Sequence, residues 1–323
     1  MLINTLSEQP ISSLLDDDKV LLALPYGSDC KPGIPGVVSS GLTALGSQSP
    51  QTQSLQVESP QEVWSVSNGK VTRDSSGNCH WSCATEVLAA AVWLSHEDCQ
   101  NLEAATARAY TELLTLLRKQ DYPYPFRFWN YLPAINHGEG DQENYKLFCN
   151  GRLSAFREMA ISEKHFASAS ALGHHGDGAV IYVLAAKQPG QHHSNSLQVN
   201  AYQYPREYGI SSPSFSRATA ITLGQKELFF ISGTASIIGH KTAHQGNLNG
   251  QLRTTIDNIR HLLANTSTAQ PTLQSMKVYL RHASDYENAQ QILHNEFPET
   301  TLLFTQADIC RKNLLVEVEC FCG

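Results

Sequence analysis

The clearest alternation of apolar and polar positions lies in the last third of the chain. Leu248, Leu252, Ile256, Ile259 and Leu263 recur at helical spacing, which predicts an amphipathic helix over 248–264. Upstream, Ala218–Thr222 and Leu228–Ser232 (LFFIS) read as short buried strands. Downstream, Ser275–Arg281 (SMKVYLR) alternates with period two, as a strand does. Ser284 is placed to cap a second helix whose inner face carries Tyr286, Ala289 and Leu293. Thr301–Phe304 and Leu314–Phe321 complete a ββαβαββ order, which predicts an α+β domain with its helices packed on one sheet.

The first two thirds yield a similar but fainter pattern. Lys19–Leu24, Glu62–Val66 and Val180–Ala185 read as strands, and Cys83–Leu94 and Leu102–Leu117 as helices. Polar or glycine-rich stretches at 46–59, 172–179, 187–196 and 263–272 read as loops and connections. The expectation is two α+β units, an N-terminal domain over 1–200 and a C-terminal domain over 201–323.

Composition narrows the function classes. The chain has 323 residues, 41% of them hydrophobic, enough for a sizeable core. Its net charge of −7 leaves no excess of cations for a phosphate backbone, so nucleic acid is not the expected partner. The longest apolar run, Val87–Leu94, is far too short to span a bilayer, and the first residues carry no secretory pattern. A cytoplasmic protein is expected, in which most of the eight cysteines are buried thiols. The sequence contains no H-E-x-x-H, and C-H-x-x-C at 79–83 lacks a matching second pair, so no metal is expected. The G-x-S-x-G, Walker A and G-x-G-x-x-G motifs are also absent, which disfavours serine hydrolases, P-loop enzymes and dinucleotide enzymes.

Four segments could carry chemistry. In the last strand Glu317 and Glu319 share one face, opposite Val316 and Val318. An amphipathic edge strand would give the same pattern. If Glu317 instead faces a partly apolar pocket, burial raises its pKa and suits it to general acid catalysis. The strand end at 229–240 (FFISGTASIIGH) contains Gly233, where a ligand can approach the backbone. The segment 122–136 (YPYPFRFWNYLPAIN) crowds aromatics and prolines around one arginine. A rigid surface segment covering a core is favoured there over an aromatic wall for a planar carboxylate. Tyr145 and Arg152 follow it, and Tyr204 and Arg217 lie in the tyrosine- and arginine-rich stretch 201–218.

These blocks carry a resemblance. LFFISGTAS, QLRTTIDNIRHLL, KVYLRHASDYENA and LLVEVECF resemble the YjgF/RidA family over about 216–321. With FRFWNYLPAIN, NYKLFCNGRLSAF and AYQYPREYGISSPSFSRA added, residues 60–322 resemble the chorismatases, which join a YjgF/RidA-like half to a related N-terminal half. The resemblance implies cleavage of chorismate with release of pyruvate and no cofactor, the ring leaving as a diene-diol, as 3-hydroxybenzoate or, in some relatives, as 4-hydroxybenzoate. It places the catalytic acid on Glu317 and a carboxylate clamp on Arg217 and Tyr204, with Tyr145 and Arg152 as additions. Gly233, where the diene-diol type has alanine, and Cys310, seven residues before Glu317, mark the 3-hydroxybenzoate type; the thiol or thiolate of Cys310 would assist aromatisation. The arginine that enamine deaminases of the simpler family place about fifteen residues before the glutamate is missing, since no arginine occurs between 300 and 310. A chain of double length is expected to cover its own site and stay monomeric. The competing readings are a diene-diol-forming chorismatase and a non-catalytic carboxylate-binding protein.

Overall fold

One order of strands and helices occurs twice. The computed structural model describes residues 1–27, 33–46, 61–265 and 271–323. The first unit comprises β1 (Cys79–Cys83), β2 (Val87–Leu94), α1 (Leu102–Lys119), β3 (Tyr124–Pro133), α2 (Asn144–Glu158), β4 (Ser168–His174) and β5 (Ala179–Ala186). The second comprises β6 (Ala218–Leu223), β7 (Lys226–Ala235), α3 (Leu248–Ala264), β8 (Leu273–Leu280), α4 (Tyr286–Glu296), β9 (Thr301–Gln306) and β10 (Val316–Cys322). In space the first runs β1-β2-β5-β3-β4 and the second β6-β7-β10-β8-β9. In each, the pair joined by the second helix is parallel (β3 with β4, β8 with β9) and the others are antiparallel. The first unit thus repeats the topology of the second, and the α+β expectation holds for both.

The units exchange edges. Thr43–Ala44 pairs with β9 in the second sheet, and Asp308–Ile309 pairs with β4 in the first. Gln191–His193, inside the stretch read as a connection, adds an edge strand beside β6. Leu2–Ser7, Gln61–Val66 and Val20–Leu24 form a third, three-stranded sheet that packs its Trp64 against both. The polar stretch at 46–59 and Cys30 fall almost wholly or wholly outside the described residues, as do 266–270 of the last connection.

Each sheet has a helix-covered face and an inner face. Leu88, Ala90, Val92, Phe128, Ile181 and Val183 pack under α1 and α2. Ile231, Met276, Val278, Val316, Val318 and Cys320 pack with α3 and α4. Between the sheets lies a third core that includes Trp64, Trp129, Tyr182, Phe230, Tyr279 and Phe321.

Two readings of the sequence are corrected. Cys83–Leu94 is not a helix: β1 ends at Cys83 and β2 is a strand buried on both faces, its residues alternating between the outer core and the core between the sheets. A strand buried on both sides loses its period-two signal, and its alanines imitate a helix. The aromatic segment is not a surface cover. Phe126–Leu132 of β3 is buried in the middle of the first sheet, with its prolines at the strand ends, where a missing N–H costs least. Ser284 does not cap α4; it lies in a short 3-10 turn, and no side chain caps that helix. Ala289 and Leu293 do face inward, with Tyr286 packed beside them.

Candidate active site

A cavity of about 830 Å³ opens between the units, and Glu317, Cys310, Arg217, Tyr204, Tyr145, Arg152 and Gly233 all line it. They come from both halves of the chain: Tyr145 and Arg152 project from α2, Arg217 immediately precedes β6, and Gly233 and Glu317 face one another from β7 and β10.

Helix α3 fixes the two strands that meet there. Asn258 donates to the carbonyls of Ala235 (3.2 Å) and Ile237 (3.0 Å), just past Gly233. Gln251 accepts from Leu315 N–H (2.7 Å) and donates to Asn313 O (2.8 Å), just before Glu317. The Cys310 loop is held by Arg281, which donates to Asp308 Oδ1 (2.5 Å) and to the carbonyls of Ile309 (3.0 Å), Arg311 (2.9 Å) and Leu314 (2.8 Å). One side chain thus gathers three carbonyls and a carboxylate of a segment whose own regular structure is a two-residue strand and a turn.

Glu317 is 5% exposed and, among the described residues, accepts no hydrogen bond from a protein donor. Burial, then the neighbouring Glu319, push its carboxyl up to about 8, while Arg127 and Arg217 pull the other way. Glu319 is pushed the opposite way, to about 2: Lys277 and Arg127, then hydrogen bonds from Ser170 and Trp129, overcome its burial. It receives Arg127 Nη2 (2.5 Å), Ser170 Oγ (2.6 Å), Trp129 Nε1 (2.7 Å) and Tyr279 OH (3.0 Å), with Lys277 Nζ at 3.3 Å. The strand carrying both is central in its sheet, not an edge. Gly233 makes room for the acid: a Cβ there would overlap Glu317 Oε1 and lie 2.8 Å from its Cδ.

The cations are set in aromatic surroundings. Arg217 donates to Tyr204 OH (2.8 Å) and Val199 O (2.8 Å), and its buried Nε has no acceptor among the described residues. Arg152 is 1% exposed, with its guanidinium 4.8 Å from the Phe148 ring, and its Nε and Nη2 are likewise without acceptors. Buried guanidinium N–H groups without acceptors, on residues that line a cavity, suit anionic ligand oxygens. Arg311, which the sequence reading passed over, also lines the cavity and packs over the rings of Tyr208 (4.1 Å) and Tyr204 (5.2 Å). Arg206 forks onto Asp141 (2.9 and 2.7 Å), tying the segment that carries Tyr204 and Tyr208 to the loop of Gly138 and Gly140 on the cavity wall.

Burial, with Glu317 nearby, pushes the Cys310 thiol up to about 12, so the thiolate alternative loses ground to the neutral thiol. Sequence reasoning missed Ser170 and Arg281, weighed Arg127 only as part of an aromatic wall, and did not foresee the donors around Glu319. The arginine inside the aromatic segment was the one visible sign of a buried charge.

The model of the family described as "Chorismatase FkbO/Hyg5-like, N-terminal" matches residues 62–185. A 3-hydroxybenzoate synthase of Streptomyces hygroscopicus is 35% identical over 231 residues, which cover 67% of this chain and 68% of that protein. A chorismatase of Streptomyces rapamycinicus is 32% identical over 230 residues, covering 67% and 69%. A crystal structure of a chorismatase superposes with a TM-score of 0.85 at 25% identity, covering 100% of this chain and 98% of that one. Similarity of this extent, together with the repeated fold, fixes the family: the chain belongs to the chorismatases.

Proposed function

We propose that this chain cleaves chorismate to pyruvate and 3-hydroxybenzoate, with Glu317 as the proton donor. The observation that carries the reading is a buried carboxyl, pushed up to about 8, on a cavity that is also lined by two buried arginines with N–H groups lacking an acceptor among the described residues. Chorismate presents two carboxylates and an enol ether. Arg217 with Tyr204, and Arg152 with Tyr145, bind the carboxylates; a guanidinium fixed by an aromatic face and a tyrosine hydroxyl orients a carboxylate with little loss of freedom.

Glu317 then protonates the methylene carbon of the enol ether. Positive charge develops on the adjacent carbon and ether oxygen; water adds to that carbon, and the hemiketal so formed breaks its bond to the ether oxygen, which stays on C3 of the ring while pyruvate leaves with the oxygen of the water. Burial opposes the carboxylate, so the group keeps its proton near neutral pH until the enol ether is in place to take it. Aromatisation with loss of the C4 hydroxyl gives the hydroxybenzoate, so that no water is consumed overall, whereas the diene-diol would retain one. Cys310, held as a thiol, supports the ring step by donating toward the departing hydroxyl. Gly233 leaves the Glu317 carboxyl and the ring room side by side.

The test is incubation of the purified protein with chorismate and identification of products by chromatography and mass. Equimolar pyruvate and 3-hydroxybenzoate support the reading. Pyruvate with a diene-diol would keep chorismate cleavage and remove the product assignment, and chorismate bound but intact would make the chain a binding protein.

A further inference from the structure

Glu319 does not line the cavity, yet it anchors much of what does. Its carboxylate accepts a hydrogen bond from Ser170 Oγ, which in turn accepts Gly233 N–H (3.0 Å) and Arg127 Nη2 (2.6 Å). Ser170 belongs to β4 of the first unit, Gly233 to β7 and Glu319 to β10 of the second, so one hydroxyl ties the acid's strand to both walls of the site. On its other side Glu319 meets Lys277, which is paired at 2.6 Å with Glu62 of the three-stranded sheet. Three separate sheets therefore converge on this carboxylate, and every one of these side chains is buried. A buried charge with this many donors is costly to assemble and is not needed to hold two hydrophobic sheets together.

We propose that Glu319 is a positioning residue for the reaction: through Ser170 it fixes the Gly233 backbone against which the Glu317 carboxyl rests. Two residues along the same strand, its negative charge also favours the acid form of that carboxyl. The inference rests on Glu317 being the proton donor. The charged and titratable groups around Glu317 are Glu319 on its own strand, Arg127 on β3, Arg217 before β6, Cys310 on the loop before β10 and Tyr145 on α2. Glu319 is the only carboxylate among them, and it also neutralises Arg127. Removing its charge both ends a repulsion and releases a cation, and the two effects act in the same direction: Glu317 gives up its proton at lower pH.

The test reads Glu317 directly, whether or not chorismate is the substrate. The carbonyl stretch of protonated Glu317 is identified in infrared spectra by its loss in Glu317→Gln and is titrated in the wild type, Glu319→Gln and Ser170→Ala. The expected result is a midpoint lower by about one unit or more in Glu319→Gln and unmoved in Ser170→Ala. In turnover, Glu319→Gln shifts the alkaline limb of kcat down by the same amount. Ser170→Ala lowers kcat by about tenfold or more at constant limb and near-constant KM, because the acid is displaced and not retitrated. If Glu319→Gln does not fold, the pair Glu319→Gln with Lys277→Met removes both charges together and is titrated instead. An unshifted Glu317 midpoint in a folded Glu319 variant, or a Ser170→Ala protein with wild-type kcat, would overturn the proposal. A wild type that shows the expected titration but leaves chorismate intact would overturn the functional reading alone.

Discussion

Glu317 and Glu319 lie two residues apart on one face of one strand, and their carboxyls are driven in opposite directions, one up to about 8 and the other down to about 2. The backbone gives both the same orientation; the neighbours separate them. Glu319 meets two cations and three neutral donors, whereas Glu317 meets an open cavity. Pairs of titratable groups pushed apart in this way divide the work of acid and anchor.

The first prediction concerns pH. A carboxyl that donates a proton must hold one, so turnover should fall as pH rises through about 8. Stability follows the same group. Because its folded pKa lies above the unfolded value, Glu317 costs the folded state increasingly as pH rises from the ordinary carboxyl range toward about 8. Glu317→Gln should therefore melt at nearly the wild-type temperature at pH 5 and several degrees higher at pH 9. Thermal unfolding at the two pH values checks this; equal melting temperatures at pH 9 would mean that Glu317 is not held protonated.

A methyl group at position 233 should act on the acid and not on the fold. The Cβ of Gly233→Ala meets Glu317 Oε1 and Cδ, and the side chain must turn to make room. Turnover should fall by about tenfold to a hundredfold, as expected for a misplaced acid, and the product ratio should move toward the diene-diol. Product analysis by chromatography decides; wild-type rate and ratio would show that the ring does not approach this floor.

Cys310 should be slow to alkylate. With its thiol pushed up to about 12, the thiolate is scarce at pH 8, and iodoacetamide should label it more than about a hundredfold more slowly than a free cysteine. Cys310→Ala should change the product ratio more than the rate of chorismate loss. Rapid labelling, or an unchanged product profile, would leave the residue as packing.

Arg281 should matter through the loop it holds. Arg281→Leu removes donors to Asp308, Ile309, Arg311 and Leu314 and takes a partner from each of these partly buried groups. A loss of about 2–4 kcal/mol in denaturant unfolding is expected. The product ratio should shift as it does in Cys310→Ala, because the thiol loses its mooring.

The second unit was legible because α3 keeps a polar face, so that 248–264 carries its own periodicity, and because its strands interleave polar residues such as Lys277, Glu317 and Glu319 with apolar ones even though both are buried. The first unit hid the same topology. Val87–Leu94 faces a core on both sides, and Tyr124–Pro133 is an interior strand whose Phe126, Trp129 and Tyr131 turn toward the core between the sheets while Phe128 packs under the helices. The site residues were found through motif resemblance, and all of them meet in one cavity. Residues that act on the site from behind, namely Ser170, Arg127 and Arg281, leave no local pattern. Their meaning comes from partners 27 to 192 positions away in the chain.

The most direct measurement compares wild type and Glu317→Gln on chorismate, following pyruvate and the aromatic product together with binding of the intact substrate. The account predicts pyruvate and 3-hydroxybenzoate in equal amounts from the wild type. It predicts at least about a thousandfold less of both from a folded Glu317→Gln protein that still binds chorismate. Turnover by that variant within tenfold of wild type would contradict the assignment of Glu317 as the acid.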